Sequence, residues 1–211
     1  MLLTVVDYGV GNLRSIAKSI EKANSESNLN YSIKISSDIN EIKKADKLVL
    51  PGQGSFRACY EGIKNISGLR EELNESVLNK KKPIYGICAG MQLFATTGYE
   101  GEKTPGLNWI EGDVIKLNVG SKKLKIPHMG WNELSVKNTS DVFKSVKNKT
   151  HAYFIHSYEF LPTKKESVCL ITDYGKDIVA AVSFNNIYGS QFHPEKSQDT
   201  GIKILTSFLK L

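Results

Sequence analysis

The sequence predicts an α/β protein built on an open sheet, mostly parallel in its N-terminal half and extended by antiparallel strands in its C-terminal half. Three observations carry this expectation. Strand-like and helix-like segments alternate through the first half, the pattern of a parallel sheet covered by helices. Strand-like segments then follow one another through the second half, separated by turn signals such as Asp173-Tyr174-Gly175 and Asn185-Asn186. Finally, a glycine-flanked cysteine, Cys88, falls between an apolar run and a helix-like segment, where strand turns into helix.

Taken in order, residues 2–6 form a short apolar strand and residues 12–23 a helix. Strands follow at 31–35 and 47–50, then a helical stretch at 69–79, a strand at 83–87 and a helix-like segment at 91–95. Beyond Trp109 the readable elements are strands at 114–119, 153–160, 168–172, 179–184 and 187–192, and a helix at 201–210 closes the chain. With 211 residues, 40% of them hydrophobic, the chain can bury one substantial core, so a single domain spanning 1–211 is expected.

Composition narrows the function classes. Residues 1–6 enter directly into a strand, with no basic leader or apolar span, which predicts a soluble cytoplasmic protein and no membrane partner. Cys59, Cys88 and Cys169 are odd in number and lack metal-type spacing, so neither a disulfide framework nor a metal is expected. The net charge of +6 is spread in short clusters, Lys80-Lys81-Lys82, Lys122-Lys123 and Lys164-Lys165, without interleaved aromatics. That distribution argues against nucleic acid as a partner.

The chemistry centres on Gly86-Ile87-Cys88-Ala89-Gly90. Flanking glycines permit the sharp turn that lifts a nucleophile above a sheet, and a helix start favours the thiolate. Cys59 and Cys169 lack this setting and read as small buried hydrophobes. A thiol nucleophile needs a base and a group that orients the base. His193 follows a strand and stands two residues before Glu195; in an extended segment the two side chains would share a face, leaving one imidazole nitrogen for the thiol. His128 and His156 have no carboxylate two residues on and read as structural or interface residues, while His151 reads as solvated. Pro51-Gly52-Gln53-Gly54, directly after a strand, offers backbone N–H groups for a developing oxyanion, and the N–H of Ala89 offers another.

Together, Pro51-Gly52-x-Gly54, Gly86-Ile87-Cys88-x-Gly90-Met91-Gln92 and Phe192-His193-Pro194-Glu195 resemble, in order and spacing, the class I (triad-type) glutamine amidotransferases. Asp7-Tyr8-Gly9-x-Gly11-Asn12-Leu13 and Pro127-His128-Met129-Gly130-Trp131-Asn132 are similar to segments of the branch that supplies glutaminase subunits to imidazole glycerol phosphate synthases. The resemblance implies the amidotransferase-type open sheet. It also implies that Cys88 attacks the side-chain amide of glutamine, that His193 protonates the departing ammonia, and that Glu195 orients His193. Gly52 and Gln92 match the oxyanion turn and the glutamine pocket. Asn12, Met129, Trp131, Tyr158 and Lys196 match positions that face a partner or line an ammonia exit. The implied partner is a (β/α)8 cyclase/synthase forming a heterodimer with this chain, and no cofactor is implied. Gln53, Ser55, Ala89 and the segment 106–110 depart from the family pattern. A synthase that amidinates surface sugars is the alternative ammonia acceptor.

Overall fold

The computed structural model describes residues 1–120 and 124–211; the Lys122-Lys123 cluster lies outside the described residues. The first half follows the expected alternation: β1 (Leu2–Val6), α1 (Leu13–Glu26), β2 (Ser32–Ser36), α2 (Ile39–Lys44), β3 (Lys47–Leu50), α3 (Phe56–Asn65), α4 (Leu69–Asn74), β4 (Ile84–Ile87) and α5 (Ala89–Gln92). Short strands β5 (Thr97–Gly98) and β6 (Thr104–Pro105) lead to β7 (Gly112–Lys116), β8 (His128–Val136), β9 (Thr150–His156) and β10 (Tyr158–Pro162). The chain continues through β11 (Val168–Asp173), β12 (Asp177–Phe184) and β13 (Ile187–Ser190) to α6 (Gln198–Leu209).

Among the described residues the main sheet has nine strands in the order β2-β1-β3-β4-β13-β12-β11-β8-β9, and β10-β7-β5-β6 form a smaller sheet. Strands β1 to β4 pair in parallel, and β8, β9, β11 and β12 pair antiparallel. β13 joins the two regimes, antiparallel to β12 and parallel to β4 with Ser190 opposite Ile87. Parallel neighbours end at the same edge of a sheet, so the residues following β4 and β13 emerge together there.

Apolar faces explain the layering. On one side Ile16 and Ile20 of α1 and Leu205 and Phe208 of α6 cover Leu3, Val5, Val49 and Tyr85. On the other, Phe56, Tyr60, Leu69 and Leu73 of α3 and α4 cover Leu48, Leu50 and Ile84. Lys47 is buried beneath α6, where its Nζ donates to the carbonyls of Phe208 and Leu209 at 2.7 and 2.9 Å. Burial lowers its pKa to about 8, and the cation complements the negative end of the helix.

Several expectations require correction. The stretch 153–160 is two strands in different sheets, β9 pairing with β8 and β10 with β7. Its apolar pattern runs on across Ser157, and only the pairing partners reveal the break. The stretch 69–79 starts as α4 and widens into a π-helical turn at Glu75–Asn79. The sequence expectations do not include α2, α3 or the strands β5, β6 and β8. The pattern for α3 was present: Phe56, Cys59, Tyr60 and Ile63 recur at helical spacing behind Ser55, whose side chain accepts from the Ala58 N–H. No helix among the described residues is long and apolar enough to cross a membrane.

Candidate active site

Cys88 terminates β4 with φ 54° and ψ −114°, a positive φ that a non-glycine residue adopts at a cost of about 1–3 kcal/mol. The surrounding glycines make that turn possible. A Cβ on Gly86 would lie 2.6 Å from the Phe94 ring, and one on Gly90 would lie 2.0 Å from the Leu50 carbonyl oxygen. Gly52 of the 51–54 turn meets Gly90 equally closely, its Cβ position 2.0 Å from the Gly90 nitrogen. The Cys88 turn and the 51–54 turn are therefore packed backbone on backbone. Tyr8 braces the second turn by donating its hydroxyl to the Pro51 carbonyl, and the Cys59 thiol reaches the Gln53 carbonyl at 4.0 Å.

His193 arrives from the end of β13. The His193 N–H donates to the Tyr153 carbonyl at 3.0 Å, and the His193 carbonyl accepts from the Ser197 hydroxyl at 2.7 Å, so its backbone is fixed at both ends. His193 Nδ1 lies 2.7 Å from Glu195 Oε1, a carboxylate only 2% exposed. The expected pairing is present, but its geometric origin differs. Pro194–Lys196 form a 3-10 turn that curls the carboxylate back under the ring, whereas an extended segment was anticipated. Burial alone would lower the His193 pKa; hydrogen bonds to Cys88 and to Glu195, with the field of both groups, outweigh it and raise the value to about 10. The imidazole is thus held in its charged form between thiol and carboxylate.

Cys88, Ala89 and Gln92 share a cleft of about 290 Å³ with Gly54, Tyr158, His193 and Lys196. Gly52 and Glu195 stand immediately behind its walls. Asn12 caps α1 by accepting from the Ser15 N–H at 3.4 Å and does not line the cleft. Met129 and Trp131 also lie outside it, 59% and 47% exposed on β8. Met129 borders an apolar depression with Leu124, Ile126 and Tyr174, and Pro127 belongs to both that depression and the cleft. Trp131 contacts the Tyr153 ring edge-on at 6.0 Å, and the Lys196 ammonium lies 5.6 Å from the same ring. An exposed aromatic surface thereby runs up to the cleft mouth.

His128 and His156 form a buried chain whose tautomers are determined by its ends. His156 Nδ1 faces the Tyr158 carbonyl at 2.8 Å, so it carries the proton and Nε2 accepts from His128 Nδ1 at 3.0 Å. His128 Nε2 in turn accepts from Asn132 Nδ2 at 3.2 Å. Burial lowers their pKa values to about 4 for His128 and about 3 for His156, so both are neutral. His151 is exposed, 3.8 Å from Glu133. Cys59 and Cys169 are buried, and burial raises their thiols to about 12 and about 11. Segment 106–110 folds back to satisfy the carbonyls of Leu93, Phe94 and Ala95, with Trp109 stacked on Phe94.

Sequence reasoning missed Gln191. Fully buried at the end of β13, it accepts from Gln92 Nε2 at 2.9 Å and donates to Cys88 Sγ at 3.6 Å. The available signal was a long amide side chain closing an otherwise apolar strand two residues before His193.

A thiol on a strained turn, a charged imidazole pinned by a buried carboxylate, and an adjoining glycine turn define a cysteine acyl-transfer site. The model of the family "Glutamine amidotransferase class-I" matches residues 4–211, and the chain belongs to that family. Within it, the chain is 46% identical over 211 residues to the imidazole glycerol phosphate synthase subunit HisH of Pelagibacter ubique, covering the whole of both chains. It is 42% identical to the HisH subunit of Brucella suis over 213 residues, covering 100% of this chain and 99% of that protein. Among solved structures, a glutamine amidotransferase superposes with a TM-score of 0.70 at 16% identity, covering 99% of each chain. A glutamine amidotransferase from Thermotoga maritima superposes with a TM-score of 0.64 at 16% identity, covering 92% of this chain and 76% of the other. Likeness at that identity establishes the fold.

Proposed function

We propose that this chain is the glutaminase subunit of an imidazole glycerol phosphate synthase, with Cys88, His193 and Glu195 as its catalytic residues. The supporting observation is the His193–Glu195 contact of 2.7 Å beside a cysteine held at positive φ. The Cys88 thiolate attacks the side-chain amide carbon of glutamine, and the N–H groups of Ala89 and of the Gly52–Gly54 turn receive the oxyanion. As the C–N bond breaks, the His193 imidazolium gives its proton to the departing nitrogen, releasing ammonia and leaving a glutamyl thioester. His193, now neutral, takes a proton from water; the hydroxide equivalent attacks the thioester, and glutamate leaves with Cys88 restored. Glu195 keeps one tautomer in place and stabilises the imidazolium throughout.

Free ammonia would be protonated in water and lose its nucleophilicity, so a cytoplasmic glutaminase of this kind delivers it directly to a partner. The partner in this reading is a (β/α)8 synthase docked over Met129 and Trp131, with Asn12, Tyr158 and Lys196 at or near the passage. Full-length similarity to HisH subunits favours histidine biosynthesis over sugar amidination as the destination. The test is Cys88→Ala in the reconstituted complex. Glutamine-dependent synthesis should vanish while synthesis from added ammonium salt persists; loss of both would refute a separate glutaminase role. Vigorous glutaminase turnover indifferent to the partner would refute the coupling.

A further inference from the structure

Two hydrogen-bond chains converge on the carbonyl of Tyr158. His156 Nδ1 reaches it at 2.8 Å from one side and Gln92 Nε2 at 3.0 Å from the other. A carbonyl oxygen has no hydrogen to give, so Gln92 must turn its nitrogen toward it. That same nitrogen lies 2.9 Å from the Gln191 side chain, which must therefore present its oxygen. The orientation of Gln191 is then settled, and its Nε2 is the end that faces Cys88 Sγ, at 3.6 Å. Gln191 is completely buried, so no water competes for either end. The polarity imposed by a main-chain carbonyl is carried through two amides to the sulfur, where it arrives as an N–H.

We propose that Gln191 is a dedicated donor to the nucleophile, opposing the Ile155 carbonyl that accepts from the Cys88 thiol at 3.8 Å and orienting the sulfur beside His193, and that Gln92 determines which end of the Gln191 amide faces the sulfur. This inference rests on the glutaminase reading for its purpose and on the hydrogen-bond chain for its geometry. It assigns Gln92 a second task besides bordering the cleft: with both its N–H groups engaged, its own oxygen is left as an acceptor. The donated N–H supports the thiolate before attack and again when the thioester is hydrolysed and charge returns to sulfur.

The experiment follows alkylation of Cys88 by iodoacetamide against pH on the full chain, with each cysteine read by peptide mass. Cys59 and Cys169, buried with raised pKa values, serve as silent internal controls of an intact fold. In Gln191→Glu the sulfur faces a carboxylate oxygen, and in Gln92→Glu the Gln191 amide is driven to turn round and present its oxygen. Each should slow alkylation at neutral pH by about tenfold to a hundredfold and move the half-maximal point to higher pH, as expected for losing a hydrogen bond to a charged group. Unshifted profiles in folded variants would overturn the proposal. Should the variants not fold, the unsubstituted chain suffices: the Gln191 side-chain amide protons, observed by ¹⁵N NMR, should shift with the midpoint of Cys88 alkylation. Amide signals indifferent to that titration would equally overturn it. No glutamine is consumed in these measurements, so a failure of the glutaminase reading would register separately.

Discussion

The three buried histidines fall into two groups that differ in charge: His193 follows β13, whereas His128 and His156 face each other across β8 and β9. His193 is raised to about 10, while His156 and His128 are lowered to about 3 and about 4. Burial acts in the same direction on all three. What differs is the company: His193 sits between Cys88 and a buried carboxylate, whereas His156 and His128 meet each other, a carbonyl and an amide. Burial therefore does not decide protonation; the polarity of the partners does. One group pairs a charged imidazole with a carboxylate, and the other is a neutral chain ending on the Tyr158 carbonyl.

Removing the feature that separates the clusters should have the largest effect. Glu195→Gln gives His193 surroundings like those of His156, and glutamine turnover should fall by about a hundred- to ten-thousandfold, measured as kcat in the complex. The pH dependence of stability should display both clusters at once. The folded value of His193 lies above the ordinary 6.5, so its stabilisation is complete below that pH and is lost as pH rises through about 10. The folded values of His128 and His156 lie below 6.5, so their stabilisation is present above it and fades as pH falls through about 4 and about 3. Urea unfolding across pH should show both limbs, the alkaline one flattened by Glu195→Gln and the acid one by His156→Gln. A finer alteration is Asn132→Asp, which places a carboxylate on His128 Nε2; its titration midpoint by NMR should rise by about one unit or more. Smallest of all, Trp131→Ala should change unfolding free energy by no more than about 0.5 kcal/mol while weakening affinity for the synthase partner, because the ring is 47% exposed.

The central strands and the nucleophile turn were legible because their causes are local. Leu2–Val6 and Lys47–Leu50 have the bounds their apolar runs indicate, and Cys88 carries its glycines beside it in sequence. His193 and Glu195 were legible as a pair, although the turn that joins them was not, since Pro194 is compatible both with extension before it and with the first position of a helical turn. Tertiary causes were hidden. Nothing within 153–160 signals that its two ends pair in different sheets. Gln191 acquires meaning only through Gln92 and Cys88, which stand 99 and 103 positions away. The exposed position of Trp131, by contrast, could not be read from its own chemistry, because a tryptophan on a strand is as readily buried as displayed.

The placement of β13 between β12 and β4 has a temporal consequence. Cys88 is synthesised long before Gln191 and His193, and it acquires both only when a strand from the far end of the chain inserts beside β4. Such long-range pairing closes late in folding. Until that strand pairs with β4, Cys88 has neither neighbour, so the group of Cys88, Gln191 and His193 exists only in the completed sheet.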